Sequence, residues 1–64
     1  MTEKELLYIE DAIGHEQNII SIINESLKML EDENLISFME EEKEGHITTL
    51  NNLISKLKEE AHEW

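Results

Sequence analysis

Leu6, Ile9, Ile13, Glu16, Ile20, Ile23, Leu27 and Leu30 follow one another in alternating steps of three and four residues. That spacing draws one stripe down a helix, apolar except at Glu16. Thr2 and Glu5 make a capping-box pattern at its start, and Glu3 adds negative charge to the first turn. The stripe stops at Glu31-Asp32-Glu33-Asn34, where Asp32 or Asn34 can cap a new helix. Leu35, Met39, Glu42, His46, Leu50, Leu53, Leu57, Ala61 and Trp64 then mark a second helix. Its last turns carry Glu59, Glu60 and Glu63, which oppose the helix dipole and predict fraying. Pro is absent and most residues are strong helix formers. The pattern predicts an all-α chain, one domain over 1–64, with helix 1 at about 3–31, a turn at about 32–34 and helix 2 at about 35–61. So short a connection gives an antiparallel two-helix hairpin.

A hairpin has one interface, yet helix 1 carries a second row: Tyr8, Ala12, His15, Ile19, Ile22 and Met29. Ile47, Leu50, Ile54 and Leu57 are its counterpart on helix 2. Uncovered, these rows would form a large apolar surface of the kind that marks an interface. Two hairpins packed as a four-helix bundle would cover it, which predicts a homodimer. Its contact residues would be Tyr8, Ala12, Ile19, Ile22, Met29, Ile47 and Ile54. His62 and Trp64 read as a frayed tail or a further dimer contact.

The two glycines, Gly14 and Gly45, are each followed by His and lie 31 residues apart. Around them Glu10-Asp11-Ala12-Ile13-Gly14-His15 is echoed by Glu41-Glu42-Lys43-Glu44-Gly45-His46. Ile19, Ile22 and Ile23 are echoed by Leu50, Leu53 and Ile54, and Leu7-Tyr8 by Phe38-Met39. The echo suggests one helical unit used twice. Inside a helix each Gly costs about 1 kcal/mol relative to Ala, so close helix packing is the expected return.

Composition narrows the function classes. Sixty-four residues bury little surface, and without Cys there is neither a disulfide nor a thiolate zinc site to staple them, which leaves self-association. Sixteen Asp and Glu against five Lys and no Arg give a net charge of -11. Such a chain repels phosphate backbones and anionic membranes and favours cations, basic partners or solubility. No signal peptide and no apolar run of about 20 residues is present, so the expected location is inside the cell. There is no nucleophile context, phosphate loop or dinucleotide fingerprint, and enzymatic catalysis is not expected.

Glu16 is the local anomaly, because a carboxylate inside an aliphatic stripe needs a partner, a proton or a metal. Glu42 and His46 lie four apart on one helix face. With the turn centred near Asp32 and Glu33, Glu16 runs level with about Thr49, and His46 is then within about one turn of it. A dimer would gather two copies of Glu16, His15, Glu42 and His46, a donor set suited to iron, manganese or zinc. The plain alternative is that Glu16 pairs with a His or Lys, while the Glu40 to Glu44 run is a solvated face and no cofactor binds.

The segments Ala12-Ile13-Gly14-His15-Glu16-Gln17 and Glu41-Glu42-Lys43-Glu44-Gly45-His46 resemble the first-helix and second-helix stretches of rubrerythrins, within the ferritin-like superfamily. That family places a Gly before a metal-ligating Glu in the first helix and ends the second stretch in a Glu-x-x-His ligand pair. Here His15 stands in the place of the first ligand Glu, with Glu16 one position late, and Lys43 stands in the place of the second. The opening Leu6 to Gln17 also resembles small ferritin-like proteins related to the spore coat F type. These resemblances imply a four-helix bundle and a structural or assembly role, cytoplasmic or spore-associated. The leading expectation is therefore a non-enzymatic assembly protein. The alternatives are a minimal metal protein with its ion at the dimer interface, or an adaptor whose groove accepts a partner's helix.

Overall fold

The computed structural model describes residues 1–61, so His62 and Trp64 lie outside the described residues. Two helices, α1 (Glu3–Met29) and α2 (Glu33–Ala61), pack antiparallel as a rod of 48 × 14 × 12 Å. The capping box forms: the Glu5 backbone N–H donates to Thr2 Oγ1 at 3.1 Å, and the Thr2 N–H donates to Glu5 Oε1 at 2.8 Å. The Thr2 N–H, and after it the Thr2 hydroxyl, hold the Glu5 carboxyl below the usual glutamate range. With the folded value depressed, this contribution is complete above the unfolded glutamate value and is lost as pH falls through the folded one. The stability difference between wild type and Glu5→Gln should therefore shrink on acidification, as thermal melts across pH 3 to 6 would record, roughly the glutamate range. A constant difference would mean that the hydrogen bond is absent in solution.

The chain leaves α1 at Leu30, whose backbone turns extended (φ -78°, ψ 140°), and α2 begins three residues later. Asp32 is the cap: its Oδ1 accepts from the Leu35 N–H at 3.0 Å and its carbonyl from the Ile36 N–H at 3.0 Å. The turn is thus Leu30 to Asp32, earlier than the segment 32–34 that the acidic run suggests. Of the two candidate caps Asp32 acts and Asn34 lies inside α2. Centring the turn on Glu31 changes the cross-helix register by about one helical turn, because each residue of shift moves the facing partner by two. Glu16 therefore runs level with His46 instead of Thr49.

On α1 the eight seam positions all turn inward: seven are half-buried, and Ile23, at 5% exposure, is buried. On α2 the seam is Ile36, Met39, Lys43, His46, Leu50, Leu53, Leu57 and Glu60, all half-buried. Leu35 and Glu42, expected on it, are exposed. Rotated by one residue from that expectation, the first turns of α2 bury Ile36 and draw in the aliphatic stem of Lys43. The packing repeat is therefore 30 residues, Glu16 corresponding to His46 and Ile23 to Leu53, whereas the sequence echo runs at 31. One residue of offset is 100° of rotation, so the echoed residues stand on different faces. His15 is exposed and His46 half-buried; Tyr8 is exposed and Met39 half-buried.

The glycines make no close approach between α1 and α2. A Cβ built on Gly14 or Gly45 would meet nothing within 4 Å, and both residues are exposed. The expectation of packing around them fails within the hairpin, and their helix cost stands uncompensated there. Gly14→Ala should stabilise the hairpin by about 1 kcal/mol, which a thermal melt would read as a rise of about 4–8 °C. A fall instead would show that another chain sits over this position.

No helix among the described residues is long and apolar enough to cross a membrane.

Candidate functional site

Glu16 on α1 and His46 on α2 meet at mid-height of the seam. His46 Nδ1 lies 2.5 Å from Glu16 Oε2, with the side chains 30% and 18% exposed. An ionised carboxylate only accepts, so the proton of this bond sits on Nδ1. Glu16 thereby fixes the imidazole orientation and leaves Nε2 as the ring's other polar atom. The aliphatic neighbours Ile20 and Leu50 stand one turn along on the same seam, which lowers the local dielectric and strengthens the bond. The sequence signal was a Glu inside an apolar stripe, and its partner is the His that the turn brings level with it.

His15 and Glu42, the other candidate ligands, are exposed. Among the described residues no group of three or more His, Cys, Asp or Glu side chains is placed to hold a metal ion. One chain therefore brings together two of the four proposed donors, Glu16 and His46. A carboxylate that accepts the N–H of an imidazole is also the arrangement that orients metal-ligating histidines, with the second ring nitrogen toward the ion. In this geometry His46 Nε2 would be the donor and Glu16 its support.

The hydroxyls of Thr49 and Ser26 are engaged within their own helices. Thr49 Oγ1 donates back to the Gly45 carbonyl at 3.1 Å, and Ser26 Oγ to that of Ile22 at 2.9 Å. Both are helix back-bonds, which satisfy the hydroxyl within its own helix. A cleft of about 330 Å³ opens at the far end of the rod, lined by Met1, Glu5, Ile9, Lys56 and Glu60. Its charged groups are already engaged: Glu5 in the capping box, and Glu60 with Lys56 at 3.7 Å and the Met1 ammonium at 3.9 Å. It lies about six to seven helical turns of α1 from the connection and apart from the Glu16–His46 pair.

The largest unassigned feature is apolar. Leu7, Tyr8, Ile22, Met29, Leu35 and Phe38 are exposed, Met29 by 83%. Of the contact residues expected from the sequence, Tyr8, Ile22 and Met29 are open, while Ala12, Ile19, Ile47 and Ile54 are half-buried by the hairpin itself. No family model, curated protein or solved structure matches this chain.

Proposed function

We propose that this chain is a non-enzymatic assembly protein, a helical hairpin that associates with a second copy to complete a four-helix bundle. One observation carries the reading: a single side chain, Ile23, is buried among the described residues, while six large apolar side chains stand in solvent. A hairpin with so small an interior gains too little from burial to offset the entropy of ordering two long helices. Association supplies the missing interior, as in bundles built from paired hairpins. The resemblance of Leu6 to Gln17 to ferritin-like proteins of the spore coat F type favours the same architecture and a role in a protein shell. The charge of -11 would keep such a unit dispersed until it docks.

Sedimentation equilibrium tests the reading. It should give twice the 7.5 kDa chain mass at micromolar concentration, with helicity falling on dilution through the dimer transition. A helical monomer that holds its fold at nanomolar concentration would overturn it.

A second reading rests on the Glu16–His46 hydrogen bond. Two such pairs facing one another across a dimer, with His15 and Glu42 nearby, would offer oxygen and imidazole donors to iron, manganese or zinc. Native mass spectrometry with each ion would then show stoichiometric metal on the dimer. Its loss in Glu16→Ala, Glu42→Ala and His46→Ala alike would support that reading, and unchanged uptake in all three would remove it.

A further inference from the structure

The two seams fix which exposed residues share a side of the rod. In an antiparallel pair of right-handed helices, the residues that precede seam positions on both helices fall on one flank. Those that follow seam positions fall on the other. Tyr8, Ile22 and Met29 precede Ile9, Ile23 and Leu30; Leu35 and Phe38 precede Ile36 and Met39. Five of the six exposed large apolar side chains therefore stand on a single flank, and Leu7, which follows Leu6, stands alone on the opposite one. Ile47 and Ile54 follow His46 and Leu53 and share the side of Leu7. The two apolar rows read from the sequence do not form one surface.

We infer that a second copy of this chain docks on the Tyr8–Ile22–Met29–Leu35–Phe38 flank, so that α1 supplies most of the interface and the Ile47–Ile54 side stays outside it. This rests on the assembly reading and specifies its surface. Charge favours the α1 part of this flank, whereas its α2 part carries Glu42 and Glu59. The seven α1 positions from Tyr8 to Met29 that precede seam residues hold no carboxylate, in a chain with sixteen. Two bodies of net charge -11 repel one another less across this α1 strip than across the carboxylate-bearing faces. A strongly basic partner would instead be drawn to the carboxylates elsewhere on the rod.

The area agrees with one occupant of this size. A compact protein of this mass exposes about 4,250 Å². The chain exposes 5057 Å², about 800 Å² more, as its 48 × 14 × 12 Å rod shape entails, and an area of that order is what one partner contributes to an interface of standard size. The interface would be isologous, with α1 of each copy against the same flank of the other. His15, which precedes Glu16, and Ser26, which precedes Leu27, are the polar interruptions of its α1 part.

Matched substitutions test the choice of flank, since Ile22 and Phe38 are each 56% exposed and Leu7 58%. Sedimentation of Ile22→Asp and Phe38→Asp should show the dimer dissociation constant raised by about a thousandfold, because each dimer carries the substitution twice. Leu7→Asp should leave it within about threefold, as expected outside the contact. Should the Asp variants unfold, Phe38→Cys and Leu7→Cys give the same answer in a folded chain. The Phe38→Cys thiol should be shielded from alkylation at dimer concentrations and open on dilution, with Leu7→Cys open throughout. A dimer equally sensitive at Leu7, or insensitive at Ile22 and Phe38, would overturn the flank and leave the assembly reading standing. A wild-type monomer, or a dimer formed only with a different protein, would overturn both.

Discussion

Ile23→Ala should lower the unfolding free energy by about 2–4 kcal/mol, against total stabilities of only a few kcal/mol for chains of this length. Ile23 is the buried member of the seam, at 5% exposure, so removing its three outer carbons leaves a gap that neighbours from both helices must close. Its seam neighbours Ile20 and Leu27 are half-buried. Ile20→Ala should cost visibly less, because part of that side chain already meets water and the site can refill with solvent. Urea titrations of the two variants at one protein concentration would measure the difference. Equal losses at Ile20 and Ile23 would show that the interior in solution is centred elsewhere, as when a second chain buries both alike.

The second large effect lies at Glu16 and His46, where single and double replacements should differ in sign. His46→Leu leaves a seam carboxylate facing an alkyl group, at a cost of about 1–3 kcal/mol for an unsatisfied polar group. Glu16→Leu should cost less, since the imidazole can remain neutral and the carboxylate cannot without taking up a proton. Replacing both gives Leu against Leu in an aliphatic seam, and that variant should match or exceed the wild type in stability. A double-mutant cycle in urea would report the coupling directly. Independent, additive losses would mean that the two side chains do not meet in solution.

The hairpin and the α1 seam were legible because the alternation of three and four runs unbroken from Leu6 to Leu30. The hydrophobic count places the first turns of helix 2 one residue off the observed seam, and the reason is local. Leu35-Ile36 and Phe38-Met39 are apolar doublets, of which either member satisfies a hydrophobic count, and at Glu42-Lys43 neither member does, so the count cannot choose between the two rows. The row through Leu35, Glu42, His46 and Leu50 needs two consecutive steps of four. Strict alternation, followed back from Leu57, passes through Lys43 and Ile36, where the seam lies. The Gly-His echo misled in a similar way, since a repeat in letters carries no rotation and packing depends on rotation. Glu16 stood out in the sequence, but naming its partner required the turn to be located within a residue. Asp32 and Asn34 are equally good caps by composition, and only the hydrogen bond to the Leu35 N–H distinguishes them.

The Glu16–His46 bond has a consequence for alignment. Aliphatic rows slide against one another at little cost, and two uniform seams would admit several offsets between the helices. If α2 moved by one turn, Glu16 would face Leu50 in one direction, with no donor at that position, and Lys43, whose ammonium can donate to it, in the other. The bond therefore acts as a notch against the slide toward Leu50, while a slide toward Lys43 would leave Glu16 a charged partner. A notch of this kind specifies height and not ownership. Were the three-residue turn to straighten, Glu16 of one molecule would find His46 of another at the same level, and exchanged helices would lock in the same alignment as the closed hairpin. What keeps each molecule to itself is then the Asp32 cap and the tight bend it holds, a division of labour between that cap and the Glu16–His46 pair about half the rod away.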